Sequence, residues 1–180
     1  MRRTSAIESV ARVVSLIFGG IFTGFLVAVL VLELSLRDFD ATVYTQVRQV
    51  ELARLDTLAG ATLIPTTIAT ILLIFLGLRR GNRGLGLLSV ALVLLVVVFV
   101  TTLVVNVPIN SDQLDWSVTN PPSDWASDRD RWQVAHAVRT VAATLAFTCL
   151  VLASGVHRRL HKHHDPTSAI VETPQAGVSS

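Results

Sequence analysis

The side chains able to do chemistry collect in one short stretch of the chain. Trp125, Arg129, Trp132, His136 and Arg139 stand at offsets 0, 4, 7, 11 and 14. At about 3.6 residues per turn these positions share one narrow helix stripe. Tryptophan faces stack on planar ligands. Arginines hold an anionic oxygen. A histidine can move a proton near neutral pH. Together they could line a pocket for a flat molecule with an anionic oxygen. A plainer reading stands beside it. Tryptophan is enriched at membrane interfaces, and arginine near a helix end snorkels to the head groups. Interface anchors need not align, however, and these do. Asp128, Asp130 and Arg131 fall between the stripe positions and read as solvated.

Other polar residues fall at the same level. Asn106 ends an apolar run, where an unpaired amide is costly. Pro108 disfavours helical geometry at Val107, so the helix is expected to end or kink there, with Asn110 in the exit turn. Capping the helix end would account for both asparagines, and so would a place in the pocket wall. Glu33 lies where the first apolar run leaves the membrane. An acid there needs a partner, and Arg129 or Arg139 is the one expected. Arg48, Glu51, Arg54 and Asp56 lead into the second run. Asn120-Pro121-Pro122-Ser123-Asp124-Trp125 reads as a helix start with Ser123 as N-cap.

The elements that must position these groups are long apolar runs. The 180 residues are 51% hydrophobic and 16% charged, and the apolar residues are concentrated rather than scattered. About 20 apolar residues cross a bilayer as a helix. Four spans are expected, at about 13–34, 57–78, 84–107 and 133–156. The fold class is therefore all-α, an integral membrane four-helix bundle occupying residues 1–164. Residues 165–180, rich in Pro, Ser, Thr and Ala, are expected to form a disordered tail. The first apolar run is longer than a signal-peptide core and no small-residue cleavage site follows it, so it reads as a retained helix. Gly20 and Gly24 have a spacing that permits close helix contact, although chance gives the same pair. Pro65 is expected to kink the second span.

Charge placement orients the bundle. Nine basic residues (Arg2, Arg3, Arg12, Arg79, Arg80, Arg83, Arg158, Arg159, Lys162) flank one end. The other end mixes six arginines with many acids. The purely basic end is expected in the cytoplasm of a cell-membrane protein, with both termini there. His157, His161 and His164 have metal-ligand spacing, but they and His163 sit among basic residues. They read as a basic collar at the lipid head groups, and no metal is assigned. The single cysteine, Cys149, makes no internal disulfide. A formal charge of +2 gives no case for nucleic-acid binding. Glycine-rich nucleotide loops and serine-hydrolase elbows are absent.

One pattern resembles a known family. Asn-Val-Pro-Ile-Asn closes the third span, and a tryptophan-bearing loop follows. Trp-x3-Arg-x2-Trp-x3-His-x2-Arg then enters the fourth. This resembles the family of small four-span membrane proteins that includes the anthrone oxygenases, over about residues 13–156. The glycine-rich first span and the polar stretch Tyr44 to Asp56 support the likeness. It implies an oxygenase acting on anthrones or similar polycyclic phenols, without flavin, haem or other cofactor. In that chemistry His136 would take a proton from carbon, and Arg129 or Arg139 would stabilise the oxyanion. Trp125 and Trp132 would hold the flat rings, with Asn106, Asn110 and Glu33 in the same site. The competing reading is a non-enzymatic membrane protein, a ligand- or quinone-binding subunit or a scaffold. A transporter is disfavoured, because the ionisable groups gather at one end instead of lining a path across. The expected partners are the lipid bilayer and a planar aromatic small molecule.

Overall fold

The structure is a computed structural model describing residues 2–79 and 84–162, with side-chain surroundings for 6–79 and 84–155. Every regular element among the described residues is helical. In order these are α1 (Arg2–Ser35), a short 3-10 turn (Leu36–Asp38), α2 (Ala41–Leu52), α3 (Leu55–Leu78), α4 (Leu85–Thr101), a π turn (Thr102–Asn106), α5 (Val107–Leu114) and α6 (Trp125–Lys162). Four stretches are long and apolar enough to cross a membrane: Ala6–Asp38, Leu55–Leu78, Leu85–Leu114 and Trp125–Gly155. The chain is a multi-pass all-α membrane bundle. Residues 165–180, Arg80, Arg83, His163 and His164 lie outside the described residues, as do the side chains of Arg2, Arg3, His157, Arg158, Arg159, His161 and Lys162.

Lipid solvates apolar side chains as well as a neighbouring helix does, so close packing of small groups must hold the spans together. Ala142, Ala143, Ala146 and Ala153 of α6 are buried among Leu26 of α1 and Leu88, Ala91 and Val98 of α4. Val93, Ile68 and Val141 face outward. The close approach of α1 uses Gly19 and Gly20. A Cβ on Gly19 would come within 3.3 Å of Thr66, and one on Gly20 within 3.3 Å of Phe147. Gly24 has open space beside it, so the Gly20–Gly24 spacing is not the contact. Pro65 sits inside α3, which runs on through it.

Two elements differ from the sequence-based expectation, and a third had no expectation attached to it. Pro108 does not end the third span. The π turn carries the rod past it, with the Val107 N–H bonded to Thr102 O five residues back. A wider turn accommodates a ring that would clash with the ordinary carbonyl four residues back. At the start of α6, Ser123 lies in the preceding turn and the helix begins at Trp125, so Ser123 is not its N-cap. The lead-in to the second span is itself a helix, α2, capped by Asp40, whose carboxylate accepts from Val43 N at 3.0 Å. α2 buries Tyr44, Thr45, Arg48 and Glu51, turning its polar face inward.

Arg48 explains that inversion. It is 2% exposed. Its Nη1 contacts Glu33 Oε1 at 2.9 Å and donates to Glu51 Oε2 at 2.5 Å. Its Nε donates to Gln113 Oε1 and its Nη2 to Asn110 Oδ1, both at 3.0 Å. Its guanidinium lies 4.1 Å from the Trp132 ring centroid. One side chain thus joins α1, α2, α5 and α6. Removing one member of a buried ion pair costs about 3–5 kcal/mol, while an exposed pair contributes about 0–1 kcal/mol. Arg48→Ala should therefore lower the thermal unfolding midpoint of the purified protein sharply. Arg37→Ala, which breaks the exposed pair with Asp130, should barely move it.

Candidate functional site

The polar end of the bundle encloses a cavity of about 160 Å³. Its polar lining comes from Arg48, Glu51, Asp56, Thr102, Asn110, Trp132, His136 and Arg139. Its apolar lining includes Phe22, Phe25 and Val29 of α1. Helix periodicity puts Trp132, His136 and Arg139 on one inward face, at i, i+4 and i+7.

These three side chains form a connected unit. Trp132 and His136 stack with centroids 4.7 Å apart and planes 8° apart. Trp132 Nε1 donates to Asn110 Oδ1 at 2.6 Å. His136 Nε2 lies 2.9 Å from Leu26 O, and its Nδ1 lies 2.6 Å from Arg139 Nη2. A carbonyl can only accept and a guanidinium can only donate, so the partners assign the tautomer. Nε2 carries the hydrogen, Nδ1 carries the lone pair, and the ring is neutral.

Arg139 is buried, and among the described residues no carboxylate lies within 4.0 Å of it. Nη1 donates to Thr102 Oγ1 at 3.1 Å, Nη2 donates to His136, and Nε has no partner. Two carboxylates border the same space. Glu51 is buried, and its Oε1 has no hydrogen-bond partner. Burial pushes the Glu51 carboxyl above its ordinary range, against the opposing pull of Arg48. Asp56 is exposed, and its two oxygens accept from Asn110 Nδ2 at 3.2 and 3.4 Å.

The stripe read from the sequence divides in space. Trp132, His136 and Arg139 line the cavity, with Asn110 opposite. Trp125 and Arg129 do not. Trp125 packs on Tyr44 at 5.5 Å, and Arg129 lies 4.9 Å over Trp125 while pairing with Asp130. Asn106 is buried behind the wall, its Nδ2 donating to Trp132 O at 3.3 Å. Glu33 also lies behind the wall. Its partners are Arg48 and Gln133, not Arg129 or Arg139. Both asparagines make tertiary bonds instead of capping the helix. Arg48, Glu51 and Asp56 are the charged cavity residues that the stripe argument missed, and Thr102 is an uncharged one. The signal of the charged three was an i, i+3, i+8 series beside a span, which has little meaning until α2 is known to fold back.

Asn110 Oδ1 accepts from both Arg48 and Trp132, so Asn110→Ala leaves two buried donors unsatisfied, at about 1–3 kcal/mol each. Thermal unfolding in detergent should show this as a lowered midpoint. An unshifted midpoint would mean that the shared bond contributes nothing.

No curated protein matches the chain, and no solved structure does. A family profile described as anthrone oxygenase matches residues 56–149. The matched stretch is just over half of the 180 residues and includes Asp56, Asn110, Trp132, His136 and Arg139. Arg48 and Glu51 fall before it. On that match, the chain belongs to the anthrone oxygenase family.

Proposed function

We propose that the cavity holds a flat phenolic ketone by its oxygen and promotes oxidation of the bound compound by dioxygen. One observation carries this reading: Arg139 lines the cavity, buried, with no carboxylate in contact and with Nε unpartnered. A guanidinium in that state has no anion in contact. An anthrone supplies one. Loss of a proton from its ring CH2 places the negative charge on the ketone oxygen, where Arg139 would stabilise it. Dioxygen then adds at the carbon that lost the proton. The peroxide anion so formed takes back that proton, and the resulting hydroperoxide loses its remaining C–H hydrogen and its terminal OH as water to give the quinone. One anthrone and one dioxygen yield one quinone and one water, with dioxygen as the oxidant.

The base must have a free lone pair. His136 is engaged at both nitrogens, and its role here is to position Arg139. Glu51 has the unpartnered oxygen, and its raised proton affinity suits it to accept a proton from carbon. Asp56, exposed and bonded to Asn110, suits the task less well. Charge placement supports a cell-membrane orientation with the arginine-rich end cytoplasmic, which puts the cavity at the outer end.

A binding protein without turnover is the second reading, favoured by the full engagement of His136. Oxygen uptake with anthrone separates the two. An oxygenase should lose about a hundredfold or more in kcat with Arg139→Gln or Glu51→Gln. Its kcat/KM should rise with pH along a limb centred above 4.5, because burial raises the Glu51 value and the base works only when deprotonated. Glu51→Gln should remove that limb. A binder would consume no oxygen and would lose anthrone affinity with Arg139→Gln and Trp132→Ala. Wild-type rate and affinity in Arg139→Gln would sink both readings.

A further inference from the structure

The cavity is too small for the ligand proposed for it. A 150 Å³ apolar cavity accommodates a benzene ring. The 160 Å³ here is therefore room for about one ring, and a tricyclic compound must extend beyond it. On the α1 side Phe22 and Val29 are buried and Phe25 is partly buried. On the other side the lining reaches the surface. Ile64 of α3 is 52% exposed, Phe99 of α4 is 45% and Val107 of α5 is 44%. All three are apolar, and all lie in spans that cross the bilayer. Gly60 stands one turn from Ile64 on the same face of α3 and also lines the cavity. A Cβ at Gly60 would meet no atom within 4 Å.

We infer that the outer rings of the ligand lie in the seam between α3 and the α4–α5 rod, against the acyl chains, and that Gly60 determines how many rings fit. This rests on the proposed reading of the cavity as an oxyanion site. The leading oxygen sits at Arg139 and the apolar remainder projects toward lipid. The missing side chain at Gly60 leaves the space between them open. A leucine there would reach into the seam from a Cβ that meets no protein atom within 4 Å. An alanine adds one methyl group and leaves most of the seam clear.

The test measures binding of phenol and of anthrone to the full chain in phospholipid nanodiscs, by quenching of intrinsic tryptophan fluorescence, with thermal unfolding alongside. Wild type should bind both. Gly60→Leu should bind phenol as wild type does and anthrone about tenfold more weakly or worse, a tenfold change being about 1.4 kcal/mol. Gly60→Ala should stay close to wild type for both. Should Gly60→Leu fail to fold, Ile64→Trp narrows the same seam from its lipid-facing rim and should show the same selectivity. Equal anthrone affinity in wild type and a folded Gly60→Leu overturns the seam assignment and leaves the oxyanion site standing. Wild type that binds phenol but not anthrone overturns the seam and the polycyclic substrate together, and leaves only a site for a single phenolic ring. Wild type that binds neither overturns the oxyanion site and the seam together.

Discussion

A guanidinium buried in a membrane protein must have its charge and its donors satisfied, and the polar end of this bundle is arranged around that requirement at Arg48. Taking one ion out of water costs several kcal/mol even after relaxation. Arg48 meets that cost with two carboxylates, two side-chain amide oxygens and an aromatic ring, drawn from α1, α2, α5 and α6. α2 folds back over the bundle end with its polar face inward because its arginine has to reach those partners. The rest of the site follows as a chain of contacts. Asn110 receives Arg48 and Trp132 on one oxygen, Trp132 stacks on His136, and His136 receives Arg139.

That chain ends on the group with an unmet need. Arg48 has two carboxylates in contact, and Arg139 has none among the described residues. The two buried arginines therefore differ in their surroundings, one ion-paired and one held, among the described residues, by hydrogen bonds to Thr102 and His136 alone. Low polarizability around the cavity strengthens any anion–guanidinium contact made there, because less water competes for either partner. Burial raises the proton affinity of the Glu51 carboxyl, one oxygen of which has no hydrogen-bond partner.

The two halves of the bundle are built by different physics. Toward the basic end, α1, α4 and α6 meet through alanine, glycine and leucine, and threonine hydroxyls such as those of Thr66, Thr70 and Thr144 return to carbonyls four residues back. At the polar end, hydrogen bonds and ion pairs replace small-residue packing, and the π turn at Thr102–Asn106 lets one rod serve both regimes. The turn carries Asn106 and leads into the helix bearing Asn110, the two amides that join this rod to α6.

Long-run composition sufficed for the spans and the fold class. Uninterrupted apolar runs can fold only as spanning helices, because lipid offers backbone groups no partner, so the four spans and the all-α class were legible at once. The family pattern was legible for the same reason, since its residues are close in sequence. Helix period also put Trp132, His136 and Arg139 on one face. It put Trp125 and Arg129 there too, and only tertiary structure separated them, because the stripe leaves the bundle where α2 covers it and Tyr44 meets Trp125. The partner of Glu33 was illegible: Arg48 lies beyond a turn and a reversal of chain direction, and spacing cannot say which of several arginines reaches one buried acid. The continuation past Pro108 depended on a widened turn that no residue pattern announces. Periodicity assigns a residue to a face of its own helix. What that face meets is decided by how the helices pack.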